Sequence, residues 1–424
     1  MFINYFKTAW RNVMKHKIFS FINIFGLTIG LASFLLIALY IFDEFTFDRF
    51  HKSAENIYRV IETKTTPEGK QTKSAGAGFQ VSEKPKTDFP EVKDAVRLIA
   101  LGRVNVSTTE NTNVFYENYT LASQGFLTTF SFELLEGDRH TALTAPYSVI
   151  VTEEIAQKLF STTHVIGKMI KNDRDNQFFK ITAILKNFPV NSHLSFNLLF
   201  SESSNTNDDF RQFVSSDWNS GAFASYLLLD DKTDANKVET KINQLAAASK
   251  NNEPGIKRQY TLQPLKDIHF YSNDIEGYSG RKGDISYIYV FCIIALFVLL
   301  IACINYMNLT TARFANRAKE IAIRKVAGAS RGRLTRQFLT EAFLLTTVAL
   351  LLALMLVKLL LPSFNAFTEK QLTLNNQTDF RIYAGVFIIF IITGLLSGMY
   401  PALFQSAAKP LLLLKNKVNI GKGN

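Results

Sequence analysis

The sequence predicts an integral membrane α-helical protein with four transmembrane helices in a 1+3 arrangement and a large α+β extracytoplasmic domain between helices 1 and 2. Four runs nearly free of charge, residues 18–42, 285–309, 338–361 and 382–404, each exceed the ~20 residues needed to cross ~30 Å of hydrocarbon. The first two runs are separated by a stretch far too long for a structureless connection, which makes 43–284 a domain. Charge supplies the third observation. Residues 1–17, 312–336 and 405–424 carry sixteen cations and one acid, more than the whole chain's net charge of +11, so the remaining residues are net negative. That distribution is a topology signature rather than a nucleic-acid footprint, and it puts both termini and the 312–336 loop in the cytoplasm.

In residues 1–17, Phe2, Ile3, Phe6, Ala9, Trp10, Val13 and Met14 alternate at helical spacing with Lys7, Arg11 and Lys15. This pattern predicts a cytoplasmic interfacial amphipathic helix whose cations meet anionic membrane lipids. The 18–42 run exceeds a signal-peptide core and leads directly into Asp43 and Glu44, so it reads as an uncleaved anchor. Within it Gly26 and Gly30 lie four apart, a spacing that lets helix backbones approach in lipid, and Gly394 and Gly398 repeat the device. Asn23, Asn305 and Asn308 are expected to bond between helices.

In the outer domain, alternation predicts strands at 57–63 and 95–101 around a helix at 79–89. Further on it predicts strands at 223–229 and 259–264 around a helix that starts near Asp234 and buries Val238, Ile242, Leu245 and Ala246. Together these form a split ferredoxin-like layer at about 55–101 and 219–270, interrupted by an inserted lobe at about 102–218. The lobe carries a strand at 147–151, Thr152 as a helix cap, and a strand of alternating Phe179, Ile181, Ala183 and Leu185.

After the second membrane run, 310–337 is strongly basic. At 100° per residue Arg313, Arg317, Glu320 and Arg324 share one stripe of a helix, and Ala318, Ile321, Ala322 and Val326 share the opposite side. Gly328 should stop that helix and Ser330 should cap the next. The remaining segments are an outer loop at 362–381 and a cytoplasmic tail at 405–424.

Catalytic signals are scarce. The sequence holds no G-x-x-x-x-G-K-[ST], so this chain has no Walker loop with which to bind ATP, and its six histidines show no metal-ligand spacing. It is expected to bind no cofactor or metal, and not to be an enzyme. His193 and His269 read as loop or packing residues. Cys292 and Cys303, eleven apart on one helix, cannot pair with each other.

The string Arg317-x-x-Glu320-Ile321-x-Ile323-Arg324-Lys325-x-x-Gly328-Ala329, followed by Gln337-Phe338-Leu339-x-Glu341-Ala342, resembles the cytoplasmic loop of MacB/FtsX-like ABC transporter permeases, the type VII, mechanotransmission class. Ala322 stands where that family usually has glycine. The resemblance implies that 310–337 is a coupling helix and loop docking on a separate ABC ATPase subunit, which carries the ATP and Mg. Glu320, Arg324 and Lys325 would make the state-dependent contacts, Ile321 and Val326 would seat the helix, Arg317 and Gly328 complete the site, and Gln337 and Glu341 support the motif. It also implies a MacB-like periplasmic core domain outside the membrane. The stretches Phe188-Pro189-x-Asn191-Ser192-His193-Leu194 and Gln263-Pro264-Leu265-x-Asp267-Ile268-His269 resemble landmarks of some members.

The implied partner is a second permease copy or homologous half, contacting through helices 1 and 2, with Gly26 and Gly30 as dimer-interface candidates. The setting is the bacterial inner membrane, with a periplasmic or outer-membrane partner and no nucleic acid. Three function classes follow. One is a permease subunit that exports or extracts a peptide, lipid, lipoprotein or antibiotic; another is a non-transporting envelope relay of the FtsX type; the third is a membrane-anchored receptor or scaffold.

Overall fold

The computed structural model describes residues 17–108, 114–205, 207–249, 254–277, 280–312, 314–374 and 380–407. The expected amphipathic helix at 1–17 and most of the tail at 405–424 lie outside them. The chain divides into two compact units, Met1–Asp43 with Ser286–Asn424, and Glu44–Ile285.

In the first unit, helix α1 spans Lys17–Phe45. The second unit then builds β1 (Ile57–Thr65), β2 (Gln71–Ser74), β3 (Gly76–Ala77), α2 (Gln80–Asp88), β4 (Val92–Thr108), β5 (Phe115–Ala122), a short α3 (Phe126–Thr129) and β6 (Leu134–Gly137). It continues with β7 (Ser148–Thr152), α4 (Glu153–Phe160), β8 (Met169–Asn172), β9 (Gln177–Leu185), β10 (Leu198–Ser201), α5 (Asp208–Ser216), β11 (Phe223–Leu229), α6 (Ala235–Ala248), β12 (Lys257–Pro264) and β13 (Ile275–Glu276). The first unit resumes with α7 (Ile285–Ala312), α8 (Phe314–Val326), α9 (Arg331–Thr368) and α10 (Phe380–Ala407).

Strands β12, β1, β11 and β4 lie side by side, each antiparallel to its neighbour. With α2 joining β1 to β4 and α6 joining β11 to β12, this is the strand order of a split ferredoxin-like layer. Val81 of α2 and Val238, Ile242 and Ala246 of α6 pack on Val60, Leu227 and Tyr260 of the sheet, and Leu245 is partly buried against them. The expectation that β4 ends near Leu101 is corrected. Gly102 adopts φ +84°, the pairing with β5 shifts between Ala100 and Arg103, and the strand bends through this bulge to Thr108. Its far half, Val104 and Val106, packs with Val149, Ile181 and Phe200 in a second core. Layer and lobe therefore share one sheet.

In the lobe β10 runs parallel to β5, and β7 is antiparallel to β10 and parallel to β9. Thr152 caps α4 by accepting the Ile155 N–H, and Phe179, Ile181, Ala183 and Leu185 are buried.

In the membrane unit α9 is the central helix. Its Ala342, Leu345, Ala349, Ala353 and Val357 recur every three or four residues and pack against Leu27, Leu31 and Leu35 of α1 and Leu299 and Cys303 of α7. Among the described residues four helices, α1, α7, α9 and α10, are long and apolar enough to cross a membrane. Helix α9 continues past Pro362, where the apolar run stops, to Thr368. Beyond it the Asn365 amide holds both the N–H and the carbonyl of Leu372, and Lys370 Nζ lies 2.6 Å from Asp43 Oδ2.

Candidate functional site

Helix α8 ends in a Schellman turn. Gly328 takes φ +90°, its N–H donates to the Lys325 carbonyl, and the Ala329 N–H reaches back to the Arg324 carbonyl, so the last orphan carbonyls are satisfied without a side chain. Ser330 then precedes α9 with the extended backbone of a cap residue, but its hydroxyl makes no cap bond.

The turn folds α8 back onto the membrane helices. Ala318, Ile321 and Ala322 are buried against Leu334 and Phe338 of α9 and Ala402 of α10. Ala322, the alanine in place of the family's glycine, is fully buried, so the packing accommodates its methyl group. Arg324 Nη1 donates to Gln337 Oε1 at 2.9 Å, and Gln337 Nε2 donates to Glu341 Oε1 at 3.3 Å. Lys325 Nζ donates to the Ser406 carbonyl at 2.6 Å in the last turn of α10, where a cation complements the helix dipole. Burial and the neighbouring Arg331 pull the Lys325 ammonium below the usual lysine range.

The structure thus brings Ile321, Arg324, Lys325, Gln337 and Glu341 together as a latch between α8 and the α9/α10 pair. Val326 departs from its expected role in seating the helix: it is 71% exposed, and Ile323 is 64% exposed. The buried residues Ala318, Ile321 and Ala322, with half-buried Lys325 between them, fall within about 100° of the helix circumference, so the seating stripe is narrower than the apolar pattern suggested. The side chains of Arg317 and Glu320 lie outside the described residues. Ile323 is the residue that wheel reasoning passed over, although it already stood as an apolar position off the apolar stripe.

Gly26 and Gly30, expected at a dimer contact, face α7 of their own chain. A Cβ on Gly30 would collide with the Ala302 methyl, and one on Gly26 would sit 3.1 Å from Asn305 Nδ2. The glycines let α1 close on α7, which leaves Ile18, Phe21, Ile22, Phe25 and Ile29 as the exposed stripe of α1. Asn23 differs from expectation too: it is buried, with neither amide atom bonded among the described residues.

In the outer unit, both landmark stretches converge on residues 44–51. Asn191 holds Thr46 through its amide and Asp48 through its carbonyl, and the His193 N–H donates to Asp48 Oδ1 at 3.1 Å. Asp48 Oδ1 also lies 2.9 Å from His193 Nδ1, and His193 Nε2 is 2.9 Å from the Tyr226 hydroxyl. Burial alone would raise the Asp48 carboxyl, but the His193 imidazole holds it below the ordinary range. His269 Nε2 meets Glu44 Oε2 at 2.6 Å, and Phe47 stacks on the imidazole with centroids 3.6 Å apart. The departing segment is fastened to the same histidine, since the Gly283 N–H donates to the His269 carbonyl at 2.8 Å. Arg281 Nη1 also reaches the Val190 carbonyl at 3.0 Å. The segments entering and leaving this unit are therefore clasped together. No group of three or more metal-ligating side chains occurs among the described residues.

Residues 20–245 match the family model of the MacB-like periplasmic core domain, and residues 292–410 match the FtsX-like permease C-terminal domain. An uncharacterized ABC transporter permease, YknZ, of Bacillus subtilis is 24% identical over 353 residues, covering 81% of this chain and 82% of the relative. The macrolide export ATP-binding/permease protein MacB of Sodalis glossinidius is 25% identical over 153 residues, 36% of this chain and 23% of that protein. Among solved structures, a domain of a putative permease from Porphyromonas gingivalis is similar at 17% identity and TM-score 0.45, covering 57% of this chain and 98% of that one. The extracellular domain of the YknZ transporter from Gram-positive bacteria is similar at 12% identity and TM-score 0.35, covering 49% and 100%. With one family model spanning more than half its length and a second covering its last three membrane helices, the chain belongs to the MacB/FtsX-like permeases of ABC transporters.

Proposed function

We propose that this chain is the permease subunit that converts ATPase movement into displacement of its outer unit, so that a peptide, lipid, lipoprotein or antibiotic is exported or extracted. ATP and Mg act on a separate ABC ATPase subunit. The observation that carries the reading is the outward face of α8, where Ile323 and Val326 stand exposed while Ile321, Arg324 and Lys325 fix the opposite side to α9 and α10. An exposed apolar pair, followed along the chain by exposed Arg331 and Arg333, suits a protein groove with an acidic rim. A push on that face passes into α9 and α10, because the latch leaves the helix no slack.

At the other end, the clasp of Glu44, Asp48, His193 and His269 gives the outer unit a rigid hold on its two chain connections. The protein sits in the bacterial inner membrane with both termini cytoplasmic, as the flanking cations favour. Four crossings are too few for two docking sites, so two copies, or this chain and a homologous half, form the working dimer. The α1 stripe of Ile18, Phe21, Ile22, Phe25 and Ile29 is the surface offered to the partner or to lipid.

The test is affinity purification of the full-length chain from its native membrane. Wild type should retain an ABC ATPase and stimulate its hydrolysis, while an Ile323→Asp, Val326→Asp double variant should reach the membrane but lose both. Retention of the ATPase by that variant would overturn the docking assignment. Arg324→Glu is a weaker probe, since it also breaks the bond to Gln337. Unimpaired coupling with no cargo movement would favour a non-transporting relay.

A further inference from the structure

Helices α9 and α10 pack closely at Gly394 and Gly398, where an added Cβ would collide with the Phe343 ring and the Ala342 methyl. Towards the start of α10 the small residues give way to Phe387 and Phe390, and the missing Cβ of Gly385 faces open space. The helices part there and leave a groove of about 620 Å³. Leu350, Leu354 and Met355 form one wall, Val386 and Phe390 the other, and Leu374 folds back against them. Among the described residues Lys358 is the single charged one in the lining, and no carboxylate lies within ion-pair distance of it. Both walls belong to helices of membrane-crossing length, so the groove opens onto hydrocarbon.

We propose that this groove is a binding site for an anionic phospholipid of the surrounding membrane, with an acyl chain between α9 and α10 and the headgroup phosphate on the Lys358 ammonium. The groove alone selects only for an apolar chain. A cation within a membrane helix is costly unless it reaches water or pairs with an anion, and Lys358 lies four residues before Pro362, where the apolar run ends. Phosphate is the anion available at that depth, and a charge-assisted hydrogen bond to it offsets the cost. Simple snorkelling of Lys358 to water would need no groove and would show no preference between headgroups.

The experiment is native mass spectrometry of the full-length chain released from nanodiscs that contain equal amounts of phosphatidylglycerol and phosphatidylcholine with identical acyl chains. Both lipids offer the phosphate, but the choline ammonium of phosphatidylcholine repels Lys358, so wild type should retain phosphatidylglycerol over phosphatidylcholine by about tenfold. Lys358→Arg should keep the preference and Lys358→Gln should lose it. Leu354→Trp, which fills the groove and spares the charge, should release both lipids. Equal retention of the two lipids by wild type would overturn the proposal, as would an unchanged preference in Lys358→Gln. Circular dichroism establishes that each variant is folded.

Discussion

The two units of this chain bury polar groups by opposite means. In the outer unit charge is buried and answered by charge: Arg97 reaches Glu83 at 2.6 Å and Glu202 at 2.8 Å, and Arg258 meets Glu62 at 2.9 Å. Arg59, fully buried, donates to Gln263 and Ser272, both at 2.7 Å. The membrane unit instead brings backbones together through glycine and alanine, and within its apolar runs the contacts go to hydroxyls, amides and helix ends, as with Thr28 on the Ala349 carbonyl, while its Lys370–Asp43 ion pair lies beyond those runs. Apolar surroundings give membrane helices no reason to separate from lipid, so close packing must supply their cohesion. A water-facing domain has hydrophobic cohesion to spare, and its buried ion pairs fix which elements meet.

The contrast can be broken most sharply by removing charge from the outer unit. Arg97→Ala leaves Glu83 and Glu202 without their cation and should cost about 3–5 kcal/mol, while Arg97→Met combined with Glu83→Gln and Glu202→Gln should recover most of the loss. Chemical denaturation of the full chain in detergent, read by near-ultraviolet circular dichroism, measures both. A cost below about 1 kcal/mol would show that the network is ornamental.

Acid should loosen the same unit through His51. This residue is buried, its Nδ1 accepts the Ser131 N–H at 3.0 Å, and burial lowers its pKa to about 4. The native state therefore favours the neutral ring, and the unfolded chain binds the extra proton. Stability is fully present above the unfolded value of ~6.5 and falls as the pH drops towards about 4, by on the order of 3 kcal/mol. In His51→Asn the melting temperature should lose its dependence on pH across that window. A slope equal to that of wild type would assign the effect elsewhere.

The membrane unit should fail in the other direction, when carbon is added. Gly30→Ala, which would gain up to about 1 kcal/mol in an open helix, should instead cost about 1–3 kcal/mol because the new methyl meets Ala302. Ala302→Gly in the same chain should restore thermal stability in detergent. Smallest of all, Lys73→Ala removes an exposed ion pair to Asp274 and should change the outer unit's unfolding by less than about 1 kcal/mol.

The length of the uncharged runs made the four membrane helices legible, and periodicity did the same for the βαβ pairs, because those elements set one face against a core. It also revealed local devices such as the Thr152 cap and the Gly328 stop, whose chemistry lies within a few residues. What escaped depends on distant partners. The grip of Asn191 and His193 on Asp48 joins residues more than 140 positions apart, and Gly102 looked like a strand end because only the pairing with β5 reveals it as a bulge. At the candidate site the basic helix was readable. Which of its faces is latched inward was not, since that depends on how α9 and α10 converge around it.

The bent strand β4 bears on how this protein can diversify. Because its first half completes the layer and its second half supplies Val104 and Val106 to the lobe, an excised lobe would carry away only a torn ladder and an open hydrophobic seam. Deletion would not return the parent fold, and a transplanted lobe would need its hinge strand with it. Variation among relatives should therefore collect in the turns at the lobe's rim, while the residues on either side of Gly102 change together.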